Sequence, residues 1–360
     1  MKVLVLTMDI TNIGGIGNYF NILKNKFHVP VEYLITGKRA RESGLFSYLK
    51  RFISDYSTFQ KKVAHYDLVH INTSMRIKSF VRDAVFLWLG KRAGKTCLVF
   101  IHGWNWGFVR FHDTFFPNLY PRLFFRADGF IVLANEFKDK LRSWGYQKKT
   151  YLLSTLVDDE LLAGFGKDDI QKRIQENYFN VLFLARIESE KGIYTSLDAV
   201  KRLSELHNGN IRLSIAGTGG ELKRAKEYAL SIDCPAEFLG FVKDDDRRPV
   251  FRQADVYLFP TQYGEGMPTS LLEAMSFGLP VITTSVGGVK DFFEHGMMGF
   301  LCEQVSPAEC AKYLSQLYLD KNLRKKQSLY NYTWAKKNVM AQSVLQRLED
   351  IYHDCLVGKK

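Results

Sequence analysis

Eight short runs of Val, Ile, Leu and Phe, each bounded by Gly, Asn or charged residues, punctuate the chain. They are VLVLT at 3–7, DLVHIN at 67–72, TCLVFIH at 96–102, DGFIVLA at 128–134, NVLFLA at 180–185, IRLSIAG at 211–217, DVYLFPT at 255–261 and PVITT at 280–284. A run that is apolar at nearly every position reads as a strand buried on both faces, and such strands belong to parallel sheets covered by helices. Polar segments with apolar residues at helical spacing lie between them, as in TSLDAVKRLSELH at 195–207. The pattern is a series of βα units. It pauses over the charge-rich stretch 158–178 and resumes at Asn180. Because 360 residues exceed what one compact core ordinarily holds, the boundary falls there. The expected fold class is α/β, two Rossmann-like domains over 1–158 and 180–334 joined by a linker at 159–179. The carboxyl ends of their strands would face each other across a cleft, where open α/β sheets bind ligands.

Composition narrows the functional classes. No run approaches the roughly 18 apolar residues of a membrane span, and VLVLTMDI is too short for a signal-peptide core. The expectation is a protein neither integral to a membrane nor exported. Five cysteines, Cys97, Cys234, Cys302, Cys310 and Cys355, show no CxxC spacing, so neither a disulfide framework nor a zinc site is indicated, and a reducing cytoplasm follows. The net charge of +12 is unevenly placed: residues 1–150 carry 24 Lys/Arg against 10 Asp/Glu, and the remainder is close to neutral. Between Lys38 and Lys95 the cations Lys50, Arg51, Lys61, Lys62, Arg76, Lys78, Lys91 and Arg92 are interleaved with Tyr48, Phe52, Tyr56 and Phe59. A one-sided basic, aromatic surface is attracted to polyanions, and the expected partner is an anionic membrane surface. Nucleic acid is not expected, since no RNA- or DNA-binding motif is present.

The segment FPTQYGEGMPTSLLEAMSFGLPVITT at 259–284 places Glu265 in a loop after a strand and Glu273 eight residues on, inside a helix beginning near Thr269. The amides of Gly266, Met267, Thr269 and Ser270 would sit at the positive end of that helix, ready for an anion or sugar hydroxyls. In FLARIESEKGI, Arg186 ends a strand and Lys191 precedes Gly192, a pair suited to neutralising a diphosphate. Gly217, in AGTGG, follows another strand and allows the backbone to approach a ligand closely. NIGGIGNYF at 12–20 is a glycine loop after the first strand, but Phe20 stands where a dinucleotide fingerprint needs its third glycine and Glu32 is a poor ribose ligand, so a nicotinamide enzyme is set aside. His102 ends a strand where the cleft should lie.

Taken together, GGIGNYF, FIHGW, RADGFIVLA, ARIESEKGI, AGTGG, FLGFV, EGMPTSLLEAM and GLPVITTSVGG resemble a retaining glycosyltransferase of the GT-B fold, in family 4 (glycosyl transferases group 1). The resemblance implies transfer of a sugar from a nucleotide-diphosphate sugar (UDP or GDP) to a saccharide or lipid-linked saccharide acceptor in bacterial-type surface polysaccharide (lipopolysaccharide or capsule) or glycolipid synthesis. It implies that Gly14 and Gly15 approach the donor phosphate, His102 contacts the transferred sugar, Arg186 and Lys191 hold the diphosphate, Glu265 orients sugar hydroxyls, and Glu273 binds the ribose. It also implies that 335–360, following NYTWAKKNV, is a helix returning to the first, acceptor-binding domain. The leaving diphosphate itself would take the acceptor's proton on the same face, without a protein nucleophile. STLVD at 154–158 and His295 depart from the family's pattern at positions that read as turns. The acidic run Asp244, Asp245, Asp246 reads as the start of a helix and no metal-ligand spacing occurs, so no metal and no cofactor are expected. A nucleotide-sugar 2-epimerase of the same fold and a non-enzymatic polyanion-binding protein are the alternatives. The expected location is the cytoplasm, peripheral to the inner face of the membrane.

Overall fold

In the computed structural model the described residues are 1–10, 15–37, 45–207, 209–243, 246–262, 264 and 266–357. They form two compact units, Met1–Thr155 with Ala341–Lys360, and Leu156–Met340.

Unit 1 holds a six-stranded parallel sheet in the order β2-β1-β3-β4-β5-β6. The strands are β1 (Val3–Thr7), β2 (Val31–Ile35), β3 (Leu68–Ser74), β4 (Thr96–Gly103), β5 (Gly129–Val132) and β6 (Lys149–Leu152). β1 and β5 are buried along their whole length, and β3 and β4 nearly so. That is the condition under which a strand stays apolar at every position. The helix Ala341–Val357 completes this unit. Its buried Glu349 accepts from the backbone N–H of His28 at 2.7 Å and lies 2.8 Å from the His28 ring nitrogen Nδ1. Tyr352 sits 2.6 Å from Nδ1 of buried His70, and Asp354 binds Lys149 and Tyr151 of β6.

Unit 2 holds the second parallel sheet, in the order β12-β11-β10-β7-β8-β9. Its strands are β7 (Tyr178–Leu184), β8 (Asn210–Ala216), β9 (Ala236–Gly240), β10 (Val256–Phe259), β11 (Val281–Thr284) and β12 (Gly299–Cys302). The stretch 159–179, read from its charge as a linker, is built into this unit. Leu161 and Phe165, then Ile170 and Ile174, point into the core at helical spacing. Buried Arg173 donates to the carbonyls of Phe277 and Gly278 at 3.1 and 3.0 Å, a cation at the carboxyl end of the helix Thr269–Ser276. Residues 335–338 finish the helix Lys321–Asn338 within unit 2, and the chain passes to unit 1 only at Ala341. Val157 pairs with Met340 in a parallel bridge, so the strands of chain entering and leaving unit 2 run side by side.

The basic stretch forms this surface only in part: Lys50, Lys61, Arg76, Lys78 and Arg92 are exposed, whereas other members are engaged within the unit. Arg51 and Phe59 are buried, Lys62 is engaged by Glu32, and Lys91 by Asp128 at 2.8 Å. Phe59 and Tyr56 pack their rings on Phe86 inside the unit. The helix Leu45–Val63 turns its aromatic face to the core, and residues 38–44 and the Tyr48 side chain lie outside the described residues.

Candidate functional site

In unit 2 the strands β10, β7 and β8 are neighbours, and their carboxyl ends carry the predicted residues. After β7 the chain runs through Arg186 to a 3-10 turn, Ser189–Lys191, and Gly192, whose φ of 85° is a left-handed conformation. A Cβ at Gly192 would fall on the carbonyl oxygen of Pro260, which follows β10. On the other side Gly217, at the end of β8 with φ 141°, lies against the carbonyl of Ala185, and Gly219 against that of Ile187. Side-chain-free positions are what let these loops interlock. Hydrogen bonds complete the clamp. The N–H of Gln262 donates to the Glu190 carbonyl at 2.8 Å, that of Glu221 to the Ile187 carbonyl at 3.0 Å, and that of Gly220 to Glu188 Oε1 at 3.2 Å.

The clamped loop presents its cations at the strand ends. Arg186 is exposed. Lys191 is 7% exposed, with its ammonium 5.8 Å from the Phe259 ring centroid. Burial, reinforced by Arg186, brings its pKa down to about 8. A cation whose hydration has been stripped gains most from an anion placed beside it.

Beyond β10, Gly266 and Met267 lead into the helix Thr269–Ser276, with Pro268 at its start. The carbonyl of Gly266 is fixed by the N–H of Gly288 at 2.7 Å, and Met267 packs on the core. The first N–H groups of the helix, at Thr269 and Ser270, have no intrahelical acceptor and face the positive end of its dipole. The Tyr257 hydroxyl lies 2.9 Å from the Leu184 carbonyl and 2.8 Å from Ser270 Oγ. Its single proton goes to the carbonyl, so Ser270 donates to Tyr257, tying the start of the helix to the ends of β10 and β7. Glu273, buried one turn into the helix, forms an ion pair with Arg247, the first residue of the helix Arg247–Arg252. Burial raises its pKa, and Arg247 opposes that rise. Arg247 is the residue sequence reasoning missed, because in KDDDRRPV it looks like part of a solvated charge run. Asp246 occupies the cap position of that helix but makes no side-chain cap bond, and Asp244 and Asp245 lie outside the described residues.

Unit 1 carries the other predicted residues. Gly15 opens the helix Gly15–Leu23 after β1, and His102 lies at the end of β4. Asn72, on neighbouring β3, donates its amide to the Leu6 carbonyl at 2.9 Å, leaving its oxygen to accept from His102 Nε2 at 2.8 Å. That fixes the Nε2-protonated tautomer. Burial pushes the His102 pKa well below the usual range, so the ring is neutral and Nδ1 is an acceptor. Arg186, Lys191, Gly217, Gly266, Met267, Thr269, Ser270 and Glu273 are thus gathered in unit 2 and Gly15 and His102 in unit 1. Gly14 and Glu265 lie outside the described residues. Among the described residues no His, Cys, Asp or Glu group has metal-binding geometry.

Two doubly wound parallel sheets of six strands with these strand-end loops are the GT-B fold of glycosyltransferases. Anabaena Alr3699/HepE, solved in complex with UDP and glucose, superposes with a TM-score of 0.71 at 20% identity over 98% of this chain and 100% of that one. Residues 165–334 match the family described as glycosyl transferases group 1. Among curated relatives, an uncharacterized glycosyltransferase of Methanocaldococcus jannaschii, MJ1607, is 29% identical over 187 residues, 49% of this chain and 47% of that protein. The amylovoran biosynthesis glycosyltransferase AmsK of Erwinia amylovora is 25% identical over 207 residues, 55% and 49% of the two chains. The matches span about half the length of both relatives.

Proposed function

We propose that the protein is a retaining glycosyltransferase that moves a sugar from a UDP- or GDP-sugar to a lipid-linked saccharide in surface polysaccharide or glycolipid synthesis. The observation that carries this reading is that, in unit 2, buried Lys191 follows β7 while the amino end of the helix Thr269–Ser276 and buried Glu273 follow the neighbouring strand β10. A diphosphate needs the first two and a ribose diol suits the third. The names of AmsK and HepE's ligands agree with it.

In the proposed reaction the bond from the sugar's anomeric carbon to the diphosphate oxygen breaks and a bond to the acceptor oxygen forms on the same face. The acceptor's proton passes to the departing diphosphate. Lys191, Arg186 and the helix amides stabilise the charge growing on that leaving group, in place of a metal ion. Glu265 orients sugar hydroxyls, Glu273 holds the ribose, Gly14 and Gly15 lie at the donor phosphate, and neutral His102 accepts a hydrogen bond from the transferred sugar. Among the described residues no helix is long and apolar enough to cross a membrane. We place the protein in the cytoplasm at the inner face of the membrane, held there by the basic unit 1, with the acceptor bound by that unit.

Calorimetric titration with a panel of nucleotide sugars tests the donor site. The anomeric configuration of the product, read by NMR, tests retention. Donor consumed without any acceptor, with the sugar epimerised, would point to the 2-epimerase instead.

A further inference from the structure

The helix Trp106–Phe115 and the turn after it hold four large apolar side chains in solvent. Phe111, Phe115, Phe116 and Leu119 are 47%, 63%, 52% and 40% exposed. The Phe111 ring lies tilted against those of Phe115 and Phe116, with centroids 5.1 and 5.9 Å apart. Water has not been excluded from them by packing, yet the backbone beneath them is fixed. Buried His112 accepts from the N–H of Tyr120 at 3.0 Å, and its carbonyl accepts from the N–H of Phe116 at 2.8 Å. Asp113, the single acid between residues 104 and 126, is turned inward to Lys140 at 2.6 Å and to the Trp144 indole N–H at 2.7 Å. The exposed charges within 104–126 are therefore cationic. Arg110, Arg122 and Arg126 are exposed and form no ion pair among the described residues.

We infer that this tip is the element of unit 1 that inserts into an anionic lipid surface. The inference rests on the proposed membrane-side acceptor and names the segment responsible. Four apolar side chains on a projecting turn suit the boundary between headgroups and acyl chains, where such side chains enter by roughly 5–10 Å while flanking arginines meet the lipid phosphates. A second copy of the chain fits poorly, because two such tips would bring three unpaired arginines against three more. The tip is also close in sequence to the strand end that bears His102: the helix starts four residues after His102 and spans about 15 Å.

Sedimentation of the full chain with vesicles, without donor or acceptor, tests the inference. The protein should bind phosphatidylglycerol-containing vesicles at low salt and not pure phosphatidylcholine vesicles. The triple variant F115S/F116S/L119S should bind them at least about tenfold more weakly, and R110E/R122E/R126E should lose binding that is sensitive to salt. Nucleoside-diphosphate titration reports the donor site separately. Loss of vesicle binding with that titration unchanged supports the tip, and absence of both in a variant marks a folding defect, leaving the charge variant to decide. Wild type that ignores anionic vesicles, or serine and glutamate variants that both bind like wild type, would overturn the inference. Vesicle binding by a protein that takes up no nucleoside diphosphate would leave the tip standing and remove the donor reading.

Discussion

Replacing Arg247 with glutamine isolates the charge on Glu273. Their side chains are 23% and 6% exposed, so the pair belongs with buried ion pairs, where removing one partner strands the other charge at a cost of about 3–5 kcal/mol. Arg247 keeps one edge in solvent, which favours the lower figure. For a unit of 150–250 residues each kcal/mol moves the melting temperature by about 2–4 °C, so R247Q should melt roughly 6–12 °C below wild type near neutral pH. The pH dependence identifies the cause. Burial raises the Glu273 pKa above its unfolded value, so the folded state binds the extra proton in that window and acidification favours folding at this group. Without Arg247, which opposes the rise, the window widens upward, and R247Q should recover stability relative to wild type as the pH is lowered from neutral. Differential scanning calorimetry over this acidification, with E273Q and the double variant, gives the coupling between the two residues. A melting temperature within about 2 °C of wild type, with an unchanged pH profile, would refute the argument.

At saturating donor, K191A and E265A should each lower transfer at least about a hundredfold, since each removes a charged contact from a desolvated site, and near wild-type turnover in either would contradict the site. Because the Lys191 ammonium loses its proton as pH rises through about 8, nucleoside-diphosphate affinity measured by calorimetry should fall above that pH in wild type. In K191A this part of the pH dependence should be absent. Gly217→Ala would force a Cβ onto the Ala185 carbonyl in a left-handed backbone and should cost roughly 2 kcal/mol or more, visible as an earlier urea midpoint. Transfer should proceed undiminished in excess EDTA, and activity abolished by chelation and restored by Mg²⁺ would expose a metal site.

The eight apolar runs each coincide with a strand, and the four strands without such a run are β2, β6, β9 and β12, which are the four sheet edges. An edge strand is flanked on one side only. In β2, β6 and β9 this leaves residues partly or fully exposed, so Val31–Ile35 and Lys149–Leu152 carry no continuous apolar signature. The candidate donor residues were legible for the same reason as the interior strands, since they follow β7, β8 and β10 directly. Three features were hidden. Segment 159–179 conceals its core contacts behind a charged majority. The Arg247–Glu273 pair joins residues 26 apart that no local spacing links. The exposed tip at 111–119 differs from buried aromatic segments such as 56–59 only in which way the helix faces, and composition does not record that.

The order in which the chain is made bears on unit 1. A ribosome delivers residues 1–155 first, then all of unit 2, and only afterwards the helix Ala341–Val357. Until that helix emerges, the His28 backbone N–H lacks Glu349, buried His70 lacks the Tyr352 hydroxyl, and Lys149 and Tyr151 on edge strand β6 lack Asp354. The lobe that begins first is finished last, after unit 2 has had the whole interval of its own synthesis in which to fold. A nascent chain arrested near residue 340 should therefore carry a protease-resistant second unit beside a first unit that lacks these contacts and is more open to cleavage.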